Sequence, residues 1–121
     1  MKAMLLAFEP PSDFALRRAD KKTFDAYMGE WFAYSEAMTK AGVIRGGAAL
    51  KEPETATVVS IEKGKRRVED GPFADTKEQL GGYFILEVAD LDEAARWAAQ
   101  CPAAKSGRVD VRAIPDYGQG E

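Results

Sequence analysis

The sequence predicts an α+β domain in which two helices pack on one face of an antiparallel sheet. The first observation is the order of its patterned segments: strand, helix, strand, β-hairpin, strand, helix, strand. The second is that both helical segments are amphipathic, so each needs a sheet face to cover its apolar stripe. This order is the split β-α-β arrangement of ferredoxin-like folds. A chain of 121 residues with 45% hydrophobic content suits one domain, which we assign to residues 1–114.

The first strand is predicted over residues 2–8, which are almost entirely apolar. Such a run is typical of a central strand with both faces covered. The next five residues, Glu9-Pro10-Pro11-Ser12-Asp13, contain turn formers and end it. A short helical turn is expected over residues 14–19.

The longest helix is predicted over residues 21–41, between an Asp20 N-cap and a terminating Gly42. Its stripe has spacings of three and four and includes Phe24, Met28, Trp31, Ser35 and Met38. Core packing against the sheet explains this stripe best. The alternative is that its aromatic side chains, Trp31 and Tyr34 among them, line a ligand pocket.

A second strand is predicted over residues 43–50, with Arg45 near its start. The β-branched residues 55–61 predict a third strand. Lys63-Gly64 forms the tip of a tight hairpin, from which residues 65–69 return as a polar edge strand.

The remaining elements are a strand over residues 83–88, a helix over residues 91–101 and a half-exposed strand over residues 108–114. Asp90 and Glu93 form a capping box at the start of that helix. The Gly-rich residues 115–121 are expected to form a flexible tail. Both helices cover the same sheet face, so the bare face predicts a homodimer formed through the open sheet.

Composition excludes several classes of function. The 17 basic and 20 acidic residues give a net charge of −3, and no basic block indicates a nucleic-acid partner. No apolar run approaches the roughly 20 residues of a membrane-spanning helix, so we expect a cytoplasmic protein without a membrane partner. The chain has one cysteine and no histidine, which excludes Ser–His and Cys–His catalysis. We predict no metal and no cofactor.

The densest cluster of turn formers and polar side chains is Asp70-Gly-Pro-Phe-Ala-Asp-Thr-Lys-Glu-Gln-Leu-Gly-Gly-Tyr83. Its Gly71-Pro72 pair suits a β-turn. Asp75 and Glu78 then predict a capped helical turn over residues 75–80, closed by Gly81.

This motif resembles the signature of DGPF-domain proteins, a branch of the YCII-related superfamily. The resemblance covers nearly the whole chain and implies a dimeric α+β barrel. YCII-related proteins carry a His–Asp pair proposed as an active site. Because this chain lacks histidine, that pair cannot be carried over, and Asp70 matches only the Asp of the DGPF motif. DGPF proteins are often encoded beside extracytoplasmic-function sigma factors, which hints at a role in stress responses.

Three functional hypotheses follow, and the first two place a small molecule in a dimer cleft. In the first, Asp70 is a general base, although stabilising the turn that follows is the more common role of such a residue. The same hypothesis has Lys77 or Arg45 anchor the ligand, and Tyr83 donate a hydrogen bond to it. The complete predicted ligand set is Phe73, Lys77, Tyr83, Arg45, Trp31 and Tyr34. In the second hypothesis the same cleft belongs to a non-catalytic ligand-binding or sensing module. In the third the domain is an interaction protein linked to stress regulation, for example a partner of a sigma factor, with the dimer and the tail as its surfaces.

Overall fold

A computed structural model describes residues 1–72 and 77–118. The strands are β1 (Lys2–Glu9), β2 (Ile44–Ala49), β3 (Thr57–Glu62), β4 (Lys65–Asp70), β5 (Gln79–Glu87) and β6 (Arg108–Ile114). The helices are α1 (Pro11–Ala15), α2 (Lys21–Lys40), α3 (Leu91–Gln100) and α4 (Ala103–Ser106). Short 3₁₀ turns follow α1, at Leu16–Arg18, and precede β3, at Pro53–Thr55.

The main sheet has the strand order β2-β5-β1-β6, and each neighbouring pair is antiparallel. The first and last long strands, β1 and β6, therefore pair with each other, and β5 lies between β1 and β2. This is the ferredoxin-like arrangement predicted from the element order. Strands β3 and β4 pair only with each other among the described strands, so the hairpin is an insertion beside the main sheet.

The core lies between one face of the sheet and the helices. Alternate residues of β1 point to that face, so Ala3, Leu5 and Ala7 are fully buried. They pack with Tyr34 and Met38 of α2 and with small residues of α3 and α4. The intervening β1 residues are half-buried in the single chain. The prediction that β1 is covered on both faces is therefore not met within one chain.

Both predicted helix caps are confirmed. The Asp20 carboxylate accepts a 2.8 Å hydrogen bond from the backbone N–H of Thr23, and α2 begins at Lys21, directly after Asp20. The Asp90 carboxylate accepts in the same way from the Glu93 N–H, while Glu93 accepts from the N–H of Ala89. Each cap satisfies backbone donors that have no partner inside the helix.

The hairpin tip is also confirmed. Lys63 and Gly64 have φ angles of 50° and 77°. Positive φ at both central residues is typical of the type I′ turn, whose twist matches that of paired strands.

The predicted helical turn over residues 75–80 is wrong at its end. Strand β5 begins at Gln79, which pairs with Glu9, and Leu80 pairs with Phe8. Pairing with β1 places these residues in the sheet ladder, and tertiary pairing overrides the local capping signal. Asp75, the proposed cap, lies outside the described residues.

Candidate functional site

A cavity of about 640 Å³ lies between α2 and the β2–β5 side of the sheet. Its helical wall carries Phe24, Tyr27, Met28, Trp31, Phe32 and Ser35. These are the successive positions that one face of a helix presents. The volume is in the range of small-molecule binding sites, and the helical wall is mostly aromatic, as in many such sites.

The sheet wall of this cavity is nearly free of side chains at one end. Residues 46–49 of β2 and residues 81–82 of β5 are all glycine or alanine, and all six line the cavity. The register places Ala49 opposite Gly82 and Gly47 opposite Phe84, so the small residues form one continuous patch. A ligand can therefore approach the backbone of the sheet closely.

Glu9 is a buried carboxylate at the wall of this cavity. It ends β1 on the core-facing side, and its exposed fraction is 1%. Oε1 accepts a hydrogen bond from the Tyr27 hydroxyl, and Oε2 accepts one from Nη2 of Arg17 at 3.3 Å. Burial raises the pKa of Glu9 above its ordinary value, although the bonds from Tyr27 and Arg17 oppose that rise. A carboxyl group whose pKa is raised holds its proton to a higher pH than a free one and can serve as a proton acceptor or donor.

Arg17 connects Glu9 to the ends of two strands. It lies in the 3₁₀ turn after α1 and donates to the carbonyl oxygens of Leu50 and Gly81. Its Nη1 also lies 3.8 Å from a carboxylate oxygen of Glu52. The guanidinium group is thus shared between two carboxylates and two carbonyls, and it fixes the position of Glu9.

Gly81 makes room for the buried carboxylate. A Cβ at this position would overlap Oε2 of Glu9 and come within 3.2 Å of the Phe14 ring. The bulge in β5 at this point, where Gly82 pairs with Ala7 and Leu80 with Phe8, places the glycine beside Glu9.

The aromatic residues around the cavity contact one another. Trp31 stacks on Phe84 with ring centroids 6.3 Å apart, and Tyr27 meets Trp31 edge-on at 6.5 Å. Within the described residues, the indole nitrogen of Trp31 is a buried side-chain donor without a hydrogen-bond partner.

The structure brings together three of the predicted site residues, because Trp31, Arg45 and Tyr83 all line the cavity. Tyr34 lies behind it: its ring packs edge-on against Phe84, and its hydroxyl donates to the Trp97 carbonyl at 2.8 Å.

The other predicted site residues do not join them. Asp70 ends β4, paired with Thr57, and is exposed. Lys77 is exposed, and neither residue lines the cavity. Phe73 lies outside the described residues. The assignment of Asp70 as a general base stays a prediction.

Glu9, Arg17 and Tyr27 are the functional candidates that the sequence analysis missed. Glu9 was assigned to the break after the first strand, although it continues the odd-numbered, core-facing series of Ala3, Leu5 and Ala7. The sequence did contain a signal for this site, because a charged residue occupies the next core-facing position after three apolar ones. No local pattern connects it to Arg17 or Tyr27.

The four-stranded sheet with its long helix on one face defines this protein as an α+β domain of ferredoxin-like fold, and a cavity lies beneath that helix. The chain belongs to the YCII-related family, since the family model of the YCII-related domain matches residues 1–117. Within the described residues, no helix combines the length and apolar character needed to cross a membrane.

An uncharacterised protein of Rhizobium meliloti (strain 1021) is 33% identical over 103 residues, which cover 84% of this chain and 83% of the relative. A solved structure of similar fold is 5-chloro-2-hydroxyhydroquinone dehydrochlorinase (TftG) from Burkholderia phenoliruptrix AC1100, in complex with 2,5-dihydroxybenzoquinone. The TM-score is 0.52 at 19% identity, covering 95% of this chain and 94% of the other. At this identity the likeness shows the fold.

Proposed function

We propose that this protein binds a small organic molecule in the cavity beneath α2, and that Glu9 exchanges a proton with it. The observation that carries the proposal is a buried carboxylate at the wall of a mostly apolar, ligand-sized cavity. Burying a carboxylate opposes its ionisation, and such groups concentrate at functional sites. A purely structural role would be served more simply by an apolar side chain at the end of β1.

The three polar residues have separate roles in this proposal. Glu9 is the proton acceptor and donor. Arg17 donates to Oε2 and holds it in place. Tyr27 orients Oε1, and its own pKa is raised, chiefly by burial and also by its bond to Glu9, so it remains a neutral hydrogen-bond partner. In the general acid–base cycle, Glu9 takes a proton from the ligand and returns it at another atom or to water.

The structural neighbour supports small-molecule binding as one use of this fold, because TftG is seen in complex with a dihydroxybenzoquinone. Its reaction is not transferred to this chain. The chemistry of the site residues here, a carboxylate with an arginine and a tyrosine, supports proton transfer.

The test compares Glu9→Gln with Asp70→Asn in a small-molecule screen by thermal shift, with native mass spectrometry to detect compounds retained on purification. We expect Glu9→Gln to reduce the thermal shift of any ligand that stabilises the wild type, because the proton acceptor is lost. Asp70→Asn should leave it unchanged. The opposite pattern would favour Asp70 as the base, and an unchanged shift in both variants would exclude Glu9 from the site.

A homodimer through the open sheet face remains part of the proposal. On that face the half-buried Leu6 and Phe8 of β1 lie beside Asp110 and Arg108 of β6. Native mass spectrometry should report a dimer, and replacement of Leu6 by lysine should yield monomers. If the wild type is a monomer, the alternative sensing or interaction function needs a different partner for this face.

A further inference from the structure

We infer that the ligand of the proposed site is an elongated molecule with an apolar middle and an anionic group, which Arg45 binds at the end of the cavity opposite Glu9. The inference rests on the proposed function and specifies the chemical class of its ligand. It combines the length of the cavity, the bulge in which Arg45 lies and the different balance of charges at the two ends.

The cavity is long enough to hold more than a single ring. Its helical wall includes Tyr27, which bonds to Glu9, and Ser35, which lies eight residues further along α2. Eight residues of an α-helix rise about 12 Å. The sheet wall gives a similar length, because the chain runs from Arg45 along β2 to Leu50, whose carbonyl belongs to the hydrogen-bond cluster around Glu9. Five residues of a β-strand span about 16 Å, so Arg45 and Glu9 lie at opposite ends of the cavity.

Arg45 lies in a bulge of β2, at the edge of the main sheet, and lines the cavity. The pairing with β5 includes Ile44 and Gly46 but skips Arg45, which is therefore the extra residue of its strand. Bulges redirect side chains at sheet edges. Nη1 of Arg45 donates to the carbonyl oxygens of Gly42 at 2.8 Å and of Ile44 at 3.0 Å. Both acceptors are neutral, and within the described part of the chain Arg45 forms no ion pair, so Nε and Nη2 are left for a ligand.

The Glu9 end carries no excess of positive charge. Arg17 pairs with Glu9 and also lies 3.8 Å from Glu52, to which Arg18 binds at 3.1 Å. Burial and, to a smaller degree, the charge of Asp13 raise the pKa of Glu9. The two arginines are therefore balanced by Glu52 and Asp13 even when Glu9 is protonated. An anionic group of the ligand gains little attraction at this end, and an ionised Glu9 repels it.

The charge of Arg45 is not balanced in this way. The nearby carboxylate of Glu87 bonds to the amine of Met1, and this bond, together with the charge of Arg45, lowers its pKa. On the last turn of α2, Lys40 and Glu36 pair with each other at 3.2 Å. The negative end of the helix dipole amounts to only about half an elementary charge. A ligand anion is therefore attracted to the Arg45 end of the cavity.

The middle of the cavity accepts an apolar segment. It is lined by the aromatic side chains of α2 and by the glycines and alanines of β2 and β5. A ligand whose anionic group binds Arg45 thus lays its apolar segment along these walls and brings its far end to Glu9.

The experiment measures dissociation constants of three probes on the full chain by ligand-observed NMR. The probe 10-hydroxydecanoate carries a carboxylate and a hydroxyl group at the ends of a long apolar chain. The probe 1,10-decanediol replaces the carboxylate by a neutral hydroxyl group, and 4-hydroxybutanoate keeps both end groups on a short chain. We expect 10-hydroxydecanoate to bind about fivefold more tightly than the diol, and this ratio is the charge advantage. The short probe should bind at least about tenfold more weakly than the long one because it loses apolar contacts.

The variant Arg45→Gln should abolish the charge advantage, whereas Arg45→Lys should keep most of it. Arg112→Gln is the matched control, because Arg112 is an exposed arginine of β6 that does not line the cavity. It should leave the charge advantage unchanged. On the wild type, added salt should reduce the advantage, since Arg45 is exposed and exposed charges are screened. The salt series needs no variant, so it tests the inference even if Arg45→Gln folds poorly.

Other outcomes separate this inference from the proposed function. A charge advantage that is absent in the wild type, or that survives Arg45→Gln, would overturn the anion site, and equal binding of the short and long probes would overturn the elongated ligand. If these results occur while another compound is retained in a Glu9-dependent manner, the ligand class is wrong and the proposed function stands. If the charge advantage depends on Arg45 but Glu9→Gln changes the binding of no probe, the anion site stands and the role of Glu9 is wrong.

Discussion

Replacing Tyr27 by phenylalanine removes the hydroxyl that donates to the buried carboxylate of Glu9. The ring and its edge-on contact with Trp31 are kept, so the change isolates one hydrogen bond. A hydrogen bond to a charged acceptor contributes about 1.5–3 kcal/mol to stability, and one to a neutral acceptor about 0.5–1.5 kcal/mol. We therefore expect the free energy of unfolding to fall by roughly 1 kcal/mol where Glu9 is protonated and roughly 2 kcal/mol where it is ionised.

The sign of the pH dependence follows from the direction of the pKa shift. Burial raises the pKa of Glu9 in the folded protein above the ordinary value of 4.5, so the wild type loses stability as pH rises through the folded pKa. The Tyr27 bond opposes this rise, so the variant's folded pKa is higher still. The stability difference between wild type and variant is therefore smallest below pH 4.5 and grows as pH rises through the folded pKa.

Tyr34→Phe is the matched control. Tyr34 is a buried tyrosine of the same helix, and its hydroxyl donates to the neutral backbone carbonyl of Trp97. Its loss should cost about 1 kcal/mol at every pH. The measurement is urea unfolding followed by tryptophan fluorescence at a series of pH values. If the loss in free energy of unfolding has the same pH dependence in both variants, Glu9 is not an ionising partner of Tyr27.

The remaining predictions concern three other sites. Gly81→Ala should lower the free energy of unfolding by about 1–3 kcal/mol because the new Cβ overlaps Glu9, and the loss should shrink in a Glu9→Ala background, measured by a denaturation cycle. Asp90→Ala should cost about 1 kcal/mol in thermal or chemical unfolding because the Glu93 N–H loses its cap. Cys101, which is 1% exposed and whose pKa burial raises to about 11, should react with thiol reagents at neutral pH only after unfolding.

Each of these predictions has a contradicting outcome. If Gly81→Ala lowers the free energy of unfolding equally in the wild-type and Glu9→Ala backgrounds, the glycine is required by the backbone conformation and not by the Glu9 side chain. An Asp90→Ala loss no larger than that of Asp92→Ala, an exposed neighbour in the same first turn, would exclude a cap effect. Rapid labelling of Cys101 in the folded protein would contradict its burial.

Short-range sequence patterns were sufficient to predict the two long helices, their N-caps and the split β-α-β order. The spacing of Phe24, Met28 and Trp31 identifies one face of a helix within a single element, although these three line the cavity where core packing was the preferred prediction. Asp20 and Asp90 contact donors only three residues away. Such signals need no knowledge of the rest of the chain. The same range explains the error at Gln79 and Leu80, where a local capping pattern competes with pairing to a strand some seventy residues earlier.

The sequence by itself therefore determined the fold class and the family. Only the tertiary structure decided which side chains surround the cavity beneath α2. Glu9 meets a tyrosine 18 residues away, and Arg17 bonds to a carbonyl 64 residues away, across elements whose separate patterns give no sign of contact. The pKa of a carboxylate depends on its burial and on its neighbours, and both arise only when the helix, the bulged strand and the end of β1 pack together.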